Sequence, residues 1–174
     1  KRGVCRFPLF YPLPEQFEGR LSANPLVRCE GLADPIAISP ISYPLFKSQN
    51  ISVDILRADQ LHPVISGNKW FKLKYHLVQA QQEGHSTLIS FGGAWSNHLH
   101  ALAYCANRIG MSSVGIVRGQ ELSAASNAML ADAASWGMQF SFVSRLEYRL
   151  LRCETGRRTT PAGLPAGYLI PGGG

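Results

Sequence analysis

Short apolar runs alternate with longer helical stretches through the middle of the chain. The runs Thr87–Phe91, Ser113–Val117 and Gln139–Val143 have the length and composition of buried strands. The stretches between them, 97–108 and 124–136, are long enough for helices, and each is closely followed by a glycine. Strand, helix, strand at these intervals is typical of a parallel sheet built from right-handed crossovers, so the sequence predicts an α/β fold: a parallel sheet with flanking helices.

The same pattern predicts further elements on either side of this region. Residues 1 to about 50 are rich in proline and follow no sustained period, so we expect an extended arm with short structured pieces. The remaining expected elements are a strand at 53–57, a helix at 69–83 ending at Gly84, a helix at 145–153, a loop at 156–167 and a strand at 168–170.

Ligands of parallel sheets bind beyond the carboxyl ends of the strands. In this chain that edge would carry Gly92–Asn97 and the glycine-rich Pro171–Gly174. Neither GxGxxG nor GxxxxGK[ST] occurs in the sequence, so neither a dinucleotide fingerprint nor a P-loop is indicated.

Lys69 directly follows Gly67 and Asn68, and two interpretations of it are open. Gly67-Asn68 suits a turn and helix N-cap, which would place Lys69 in the first helical turn. The helix dipole there opposes a positive charge and lowers the pKa of an amine, as a nucleophilic lysine requires. The other interpretation is that Lys69, Lys72 and His76 form the solvent-exposed face of an amphipathic helix, and helical phase alone favours it.

Ser96, Asn97 and His98 open a predicted helix after a Gly-Gly turn. They can cap the helix, bind an oxyanion or carboxylate at its N-terminus, or do both. A metal site is not expected, because His98 and His100 would lie about 200° apart on a helix and no zinc-ligand spacing surrounds them. A serine hydrolase is not indicated either, since Ser96 lacks the GxSxG context.

The net charge of +6 is concentrated near the end of the chain. The basic residues there are Arg145, Arg149, Arg152, Arg157 and Arg158. We interpret this stretch first as a solvated surface, and as an alternative consider a non-catalytic α/β binding domain whose basic face holds acidic partners. Aromatic residues are not interleaved with the arginines, so no nucleic-acid partner is expected.

Cysteine usage and hydropathy bear on the location of the protein. The cysteines are Cys5, Cys29, Cys105 and Cys153. Their wide scatter favours reduced thiols and a cytoplasmic location. Prolines interrupt the N-terminal segment before an apolar stretch of signal-peptide length develops. No apolar run approaches the ~20 residues of a membrane span, so no membrane partner is expected.

Two stretches together resemble a known family. Ile65–Leu73 reads ISGNKWFKL and Ser90–His98 reads SFGGAWSNH. With a helix between them, they resemble the pyridoxal-phosphate enzymes of the 1-aminocyclopropane-1-carboxylate deaminase and D-cysteine desulfhydrase family, which have the tryptophan synthase β-like fold (fold type II). The resemblance extends from about Pro40 to the end of the chain.

Position by position, the resemblance implies roles for several residues. Lys69 would form the Schiff base with pyridoxal 5′-phosphate and exchange protons with substrate. Ser96 matches the serine that lies against the substrate and is the nucleophile in the deaminases, and Asn97 matches the asparagine that hydrogen-bonds the cofactor's ring hydroxyl. Ser96, Asn97 and His98 would bind substrate. His98 replaces the glutamine of the deaminases and is closer to the desulfhydrase branch, while His100 stands where many relatives have arginine.

The resemblance also implies a domain organisation and an activity. Residues 1–80 would be an arm and the first part of a large domain carrying Lys69, 81–165 a small α/β domain, and 166–174 the truncated start of a return to the large domain. The expected activity is deamination of 1-aminocyclopropane-1-carboxylate or desulfhydration of D-cysteine, by a homodimer when full length. The chain matches only the N-terminal half of the family's fold, so it is expected to be incomplete for catalysis.

Overall fold

The structure, a computed structural model, describes residues 36–155 and 165–171, with the side chains of Glu154 and Thr155 not described. In chain order the elements are β1 (Ile38–Ile41), α1 (Pro44–Ser48), β2 (Val53–Leu56), a 3-10 turn (Ala58–Gln60), α2 (Lys69–Gln82), β3 (Thr87–Gly92), α3 (Asn97–Arg108), β4 (Ser112–Arg118), α4 (Ala128–Ser135), β5 (Met138–Val143), α5 (Arg145–Thr155) and β6 (Tyr168–Leu169).

Four parallel strands form the central sheet in the order β5-β4-β3-β6. After β5 the chain crosses back over the sheet, so that β6 pairs with β3 in the register Ile89↔Leu169, while β4 pairs with the other side of β3 in the register Ile89↔Val114. This arrangement confirms the predicted α/β fold class with a parallel sheet and flanking helices. The carboxyl ends of these strands all lie at one edge of the sheet.

The two faces of the sheet are buried by different helices. On one face, α2, α3 and α4 pack over Leu88, contributing side chains such as Leu77, Leu102 and Leu130. Residues of β3 and β4 on the other face form a second cluster against α5; these are Ile89, Phe91, Val114 and Ile116, with Tyr148 and Leu151 of α5. Both faces are therefore covered, which explains why the strands read as continuous apolar runs in the sequence.

The antiparallel pair β1–β2 lies in a separate two-stranded sheet, with Ile38 opposite Leu56. The sequence predicts β2 but not β1. Pro40 within β1 and the mostly exposed side chains of this strand remove the alternating apolar pattern that would have revealed it.

Helix α4 begins later than predicted. The expectation of a helix from Ala124 is wrong, because Asn127 caps the helix at Ala128: its Oδ1 accepts a hydrogen bond from the N–H of Leu130 at 3.0 Å. The preceding residues form a turn in which Ser126 Oγ accepts from Ser123 N at 2.8 Å. A strong asparagine cap thus overrides the helix propensity of the preceding alanines.

The ends of the other helices agree with the sequence. Helix α2 ends before Gly84, whose φ of +74° is left-handed, and His85 N donates to Ala80 O at 2.9 Å, as expected of a glycine C-cap. Residues 156–164 of the expected loop, Arg157 and Arg158 among them, and Gly172–Gly174 lie outside the described residues. Across the described ranges, no helix is both long and apolar enough to cross a membrane.

Candidate active site

Lys69 is the first residue of α2 and is partly buried. Burial lowers the pKa of its amine, and the nearby charge of Lys72 lowers it further. The lowered pKa agrees in direction with the prediction, and loss of solvent is its first cause. Asn68 occupies the N-cap position without a capping side-chain hydrogen bond, because its φ of −84° and ψ of 4° differ from the extended cap conformation.

The proposed solvent-exposed face of α2 is exposed only at Lys72. His76 is partly buried, and its Nδ1 lies 3.1 Å from the hydroxyl of Tyr168. Because that hydroxyl donates to Gln79 Oε1 at 2.9 Å, it accepts from Nδ1–H of His76. Helix α2 is therefore held against β6 by a polar contact.

His98 brings the two sequence motifs together. Its side chain is 3% exposed. Burial lowers its pKa to about 4, and the positive charges of Lys69, Lys72 and His76 contribute to the lowering. Lys69 therefore lies near the first turn of α3, and His98 is neutral at neutral pH.

The hydrogen bonds of Ser90 determine which nitrogen of His98 carries the proton. Ser90 Oγ donates to the carbonyl oxygen of Ile170 at 2.9 Å, which uses its only hydrogen. It therefore accepts from Nε2–H of His98, 3.0 Å away. Nδ1 of His98 is left as a buried acceptor, without a partner among the described residues. An unsatisfied buried acceptor costs about 1–3 kcal/mol, so a ligand that donates a hydrogen bond here would recover that energy.

Ser96 is the N-cap of α3, and its Oγ accepts a hydrogen bond from the N–H of Leu99 at 3.2 Å. The capping role predicted for this residue is confirmed. The cap uses a lone pair of Oγ and leaves the hydroxyl hydrogen available to a ligand. Asn97 follows as the first residue of α3 and is exposed, so both side chains can contact a ligand at this helix N-terminus.

The turn before Ser96 contains Gly92 and Gly93, and only Gly92 has to be glycine. A Cβ at Gly92 would lie 2.6 Å from Ser96 Oγ and 2.7 Å from Leu99 Cδ1, whereas a Cβ at Gly93 would meet nothing within 4 Å. The absence of a side chain at Gly92 lets Ser96 fold back against the end of β3. Asn127 Nδ2 donates to the carbonyl oxygen of Ala94 at 3.0 Å and ties this turn to the start of α4.

A cavity of about 750 Å³ opens beside the same turn, at the carboxyl ends of β3, β4 and β5. Its walls are the segment 92–96, the segment 118–122, and Ser144, Arg145 and Tyr148. Lys69 does not line it. The predicted edge of the sheet thus holds this cavity, with Ser96 in its wall, and Lys69 outside it.

Sequence reasoning missed Ser90 and Arg118. Ser90 lies within an apolar strand, and a hydroxyl at a position expected to be buried was the one sign in the sequence that it needs a hydrogen-bond partner. Arg118 ends β4 at the ligand-binding edge, a position that the strand pattern already marked. His100, left without a role, lies 3.3 Å through Nε2 from Asp132 Oδ2 and stacks edge-to-face with Trp136, so it contacts α4.

The described residues contain no group of three or more histidine, cysteine, aspartate or glutamate side chains placed to hold a metal ion. Fold and site together define an α/β protein with a helix N-terminus at the carboxyl edge of a parallel sheet and a partly buried lysine whose charge acts on His98 in the first turn of that helix.

Known proteins share both the sequence and the fold. The chain is 36% identical over 86 residues to a protein of Pyrococcus abyssi (strain GE5 / Orsay) named "Putative 1-aminocyclopropane-1-carboxylate deaminase", a match that covers 48% of this chain and 26% of that protein. A protein of the same name from Thermotoga maritima is 35% identical over 86 residues, covering 49% and 28%. The matched segment thus spans about half of this chain and about a quarter of the length of these relatives. No family model matches the chain.

The crystal structure of an ACC deaminase homologue superposes with a TM-score of 0.59 at 20% identity, covering 87% of this chain and 47% of that one. The fold is therefore that of about half of this homologue. The two sequence matches confirm the resemblance to the 1-aminocyclopropane-1-carboxylate deaminase family that the motifs around Lys69 and Ser96 predict. The assigned roles of Lys69, Ser96, Asn97 and His98, and the division into domains, stay predictions.

Proposed function

We propose that this chain carries the lysine-bearing part of a pyridoxal 5′-phosphate-dependent enzyme that releases ammonia from a small amino acid. The observation that carries the proposal is the proximity of Lys69, whose pKa is lowered by burial, to the α3 N-terminus with Ser96 and Asn97. The substrate would be 1-aminocyclopropane-1-carboxylate, opened and deaminated, or D-cysteine, which loses sulfide. The names of the sequence relatives support the first of these.

The residues present fit this cofactor and a small amino acid. Lys69 supplies an amine whose neutral form is favoured by burial, and His98 supplies a buried acceptor that lacks a partner. When bound, the cofactor would act as an electron sink for the negative charge that develops on the substrate. Lys69 Nζ would hold the cofactor and later carry a proton to or from the substrate, which requires the lowered pKa.

The start of α3 would hold the anionic groups of the ligand. The N–H groups of Asn97 and His98 have no partner within the helix, and the helix dipole favours negative charge there. The hydroxyl hydrogen of Ser96, which its capping bond does not use, would donate to the substrate's carboxylate. Nδ1 of His98 would accept a hydrogen bond from a donor on the ligand, such as the substrate's amino group.

The complete enzyme would be a cytoplasmic homodimer. The contacts with the cofactor's phosphate and ring nitrogen would come from segments outside the described residues, and phosphate contacts supply much of the binding energy of such a cofactor.

A visible absorption spectrum with added pyridoxal phosphate tests the proposal. It is recorded on the 174-residue chain and on a longer product if the reading frame continues past Gly174. The longer protein should develop a cofactor band that Lys69→Ala abolishes. Lys72 is an exposed lysine on the next turn of the same helix, and the Lys72→Ala variant should retain the cofactor band. The absence of a band in the longer unmutated protein would contradict the enzyme proposal.

A second assay separates the two candidate substrates. The longer protein is incubated with 1-aminocyclopropane-1-carboxylate or with D-cysteine, and ammonia and sulfide are measured. Ammonia from the first substrate without sulfide from the second identifies a deaminase, and the reverse identifies a desulfhydrase. A cofactor band without turnover of either compound would support cofactor binding and contradict both proposed substrates.

A further inference from the structure

Arginines from two separate elements converge on the cavity beside the Gly92–Ser96 turn. Arg118 ends β4 and Arg145 begins α5, and both line the cavity of about 750 Å³. An adjoining hollow of about 700 Å³ shares these two residues and is also lined by Arg149 and Arg152. The arginine pocket, defined as Arg118, Arg145 and Arg149 around Tyr148, is therefore a concave surface rather than a flat charged face.

Among the described residues, the three arginines of the pocket lack the carboxylate partner that Arg57 has. Arg57 binds Asp59 through two nitrogens, with Nε–Oδ1 at 2.9 Å and Nη2–Oδ2 at 2.6 Å. Among the described residues, Arg118, Arg145 and Arg149 form no salt bridge. Like charges gathered around one concavity repel each other, and a bound anion would relieve that repulsion.

The carboxylates near the pocket are outnumbered by its arginines. Glu147 is occupied in a capping box: its Oε2 accepts from Ser144 N at 2.8 Å, and Ser144 Oγ accepts from Glu147 N at 3.2 Å. Hydrogen bonds from the hydroxyl and the N–H of Ser144 lower the pKa of the Glu147 carboxyl, so this group stays ionised but does not line either hollow. Among the described residues, Glu121 is the one acidic residue in the walls of the two hollows, so the walls keep an excess of positive charge.

The pocket is held in place by contacts of its own. The ring of Tyr148 packs edge-to-face on Phe91, with centroids 5.6 Å apart, and the guanidinium carbon of Arg118 lies 6.0 Å from the centroid of Tyr148. Gly119, directly after Arg118, donates from its N–H to the carbonyl oxygen of Val143 at 2.9 Å. This bond joins the end of β4 to the end of β5, so that Arg118 stays beside the start of α5.

We propose that the arginine pocket binds a small ligand bearing a phosphate or diphosphate group. Planar guanidinium groups match the oxygens of a phosphate in paired hydrogen bonds. A phosphate group offers three acceptor oxygens to the guanidinium groups, whereas a carboxylate offers two. Arg118 is remote in sequence from the basic stretch that begins at Arg145. A solvated basic stretch would not require an arginine from another strand beside it, so this convergence favours a binding pocket.

Pyrophosphate is the probe in the test, titrated calorimetrically into the 174-residue chain at constant ionic strength so that general screening does not vary. The double variant Arg118→Gln/Arg145→Gln should weaken binding at least tenfold. Arg108→Gln, which removes an exposed arginine from the far end of α3, should change the Kd less than twofold. Undetectable binding to the unmutated chain, or equal weakening by Arg108→Gln, would overturn the proposal.

Three further variants refine the test. Lys69→Ala should leave pyrophosphate binding unchanged, because Lys69 does not line the pocket, and a loss there would contradict a separate site. Arg145→Lys keeps the charge without the planar fork and should weaken binding several-fold. If circular dichroism shows the double variant unfolded, Arg149→Gln on the exposed face of α5 replaces it, with an unchanged Kd counting against the pocket.

Discussion

Ser90 Oγ lies 3.0 Å from Nε2 of His98, and this buried bond joins the middle of β3 to the first turn of α3. The same hydroxyl donates to the carbonyl oxygen of Ile170, which follows β6. One serine therefore connects three segments that border the candidate active site. The bond also keeps Nδ1 of His98 unprotonated, which leaves an acceptor near Lys69.

Ser90→Ala should destabilise the protein by about 2–3 kcal/mol, because it leaves Nε2–H of His98 and the carbonyl oxygen of Ile170 without this partner. Urea unfolding at pH 7 measures the change. Ser112→Ala, at an exposed position at the start of β4, is the matched control and should stay within about 0.5 kcal/mol. A cost at Ser90 no larger than that of the control would show that the buried bonds contribute little.

Stability should fall as the pH is lowered from about 6.5 towards 4. His98 has its pKa lowered from 6.5 to about 4 in the folded protein. In this interval the unfolded chain binds more protons than the folded one, so the free energy of unfolding rises with pH and levels off above 6.5. The full difference for His98 is about 3 kcal/mol. Burial also lowers the pKa of His62 and His76, which acts in the same direction.

Urea unfolding of the unmutated chain and of His98→Gln between pH 5 and 8 measures this dependence. The variant should lose the largest part of the slope below pH 6.5, and the two curves should run parallel above pH 7. A slope that is the same in both proteins would exclude His98 as its main source.

Gly92→Ala should cost about 1–3 kcal/mol, because the new methyl group would overlap Ser96 Oγ and Leu99 Cδ1 and push Ser96 from its capping position. Gly93→Ala is the neighbouring control. Its methyl group would meet no atom within 4 Å, so it should be close to neutral. Thermal unfolding of both variants makes the comparison, and equal losses would mean that the close approach at Gly92 is not the cause.

Asn127→Ala should destabilise the protein by about 1–2 kcal/mol through loss of the α4 cap and of the bond to the Ala94 carbonyl oxygen. Asn127→Ser keeps a capping oxygen and removes the amide donor to Ala94 without adding a charge. It should therefore cost less than the alanine variant, and the difference in unfolding free energy reports the cap. A serine variant as unstable as the alanine variant would place the whole effect at Ala94.

Local features of the chain were predictable from its sequence. Apolar runs marked the strands β3, β4 and β5. Helical period and capping marked the starts of α2 at Lys69 and of α3 at Asn97. All of these signals act between neighbours in the chain. The start of α4 shows the limit of this reasoning, since one asparagine cap outweighed a run of favourable alanines.

By itself, the sequence determined which residues could form strands, helices and helix starts, because those preferences act between chain neighbours. Only the tertiary structure decided that β6 lies beside β3, that His98 turns inward onto Ser90 and Ile170, and that Arg118 meets Arg145 across a cavity. Burial and hydrogen bonding between residues remote in sequence depend on how the helices and strands pack, which local patterns do not encode.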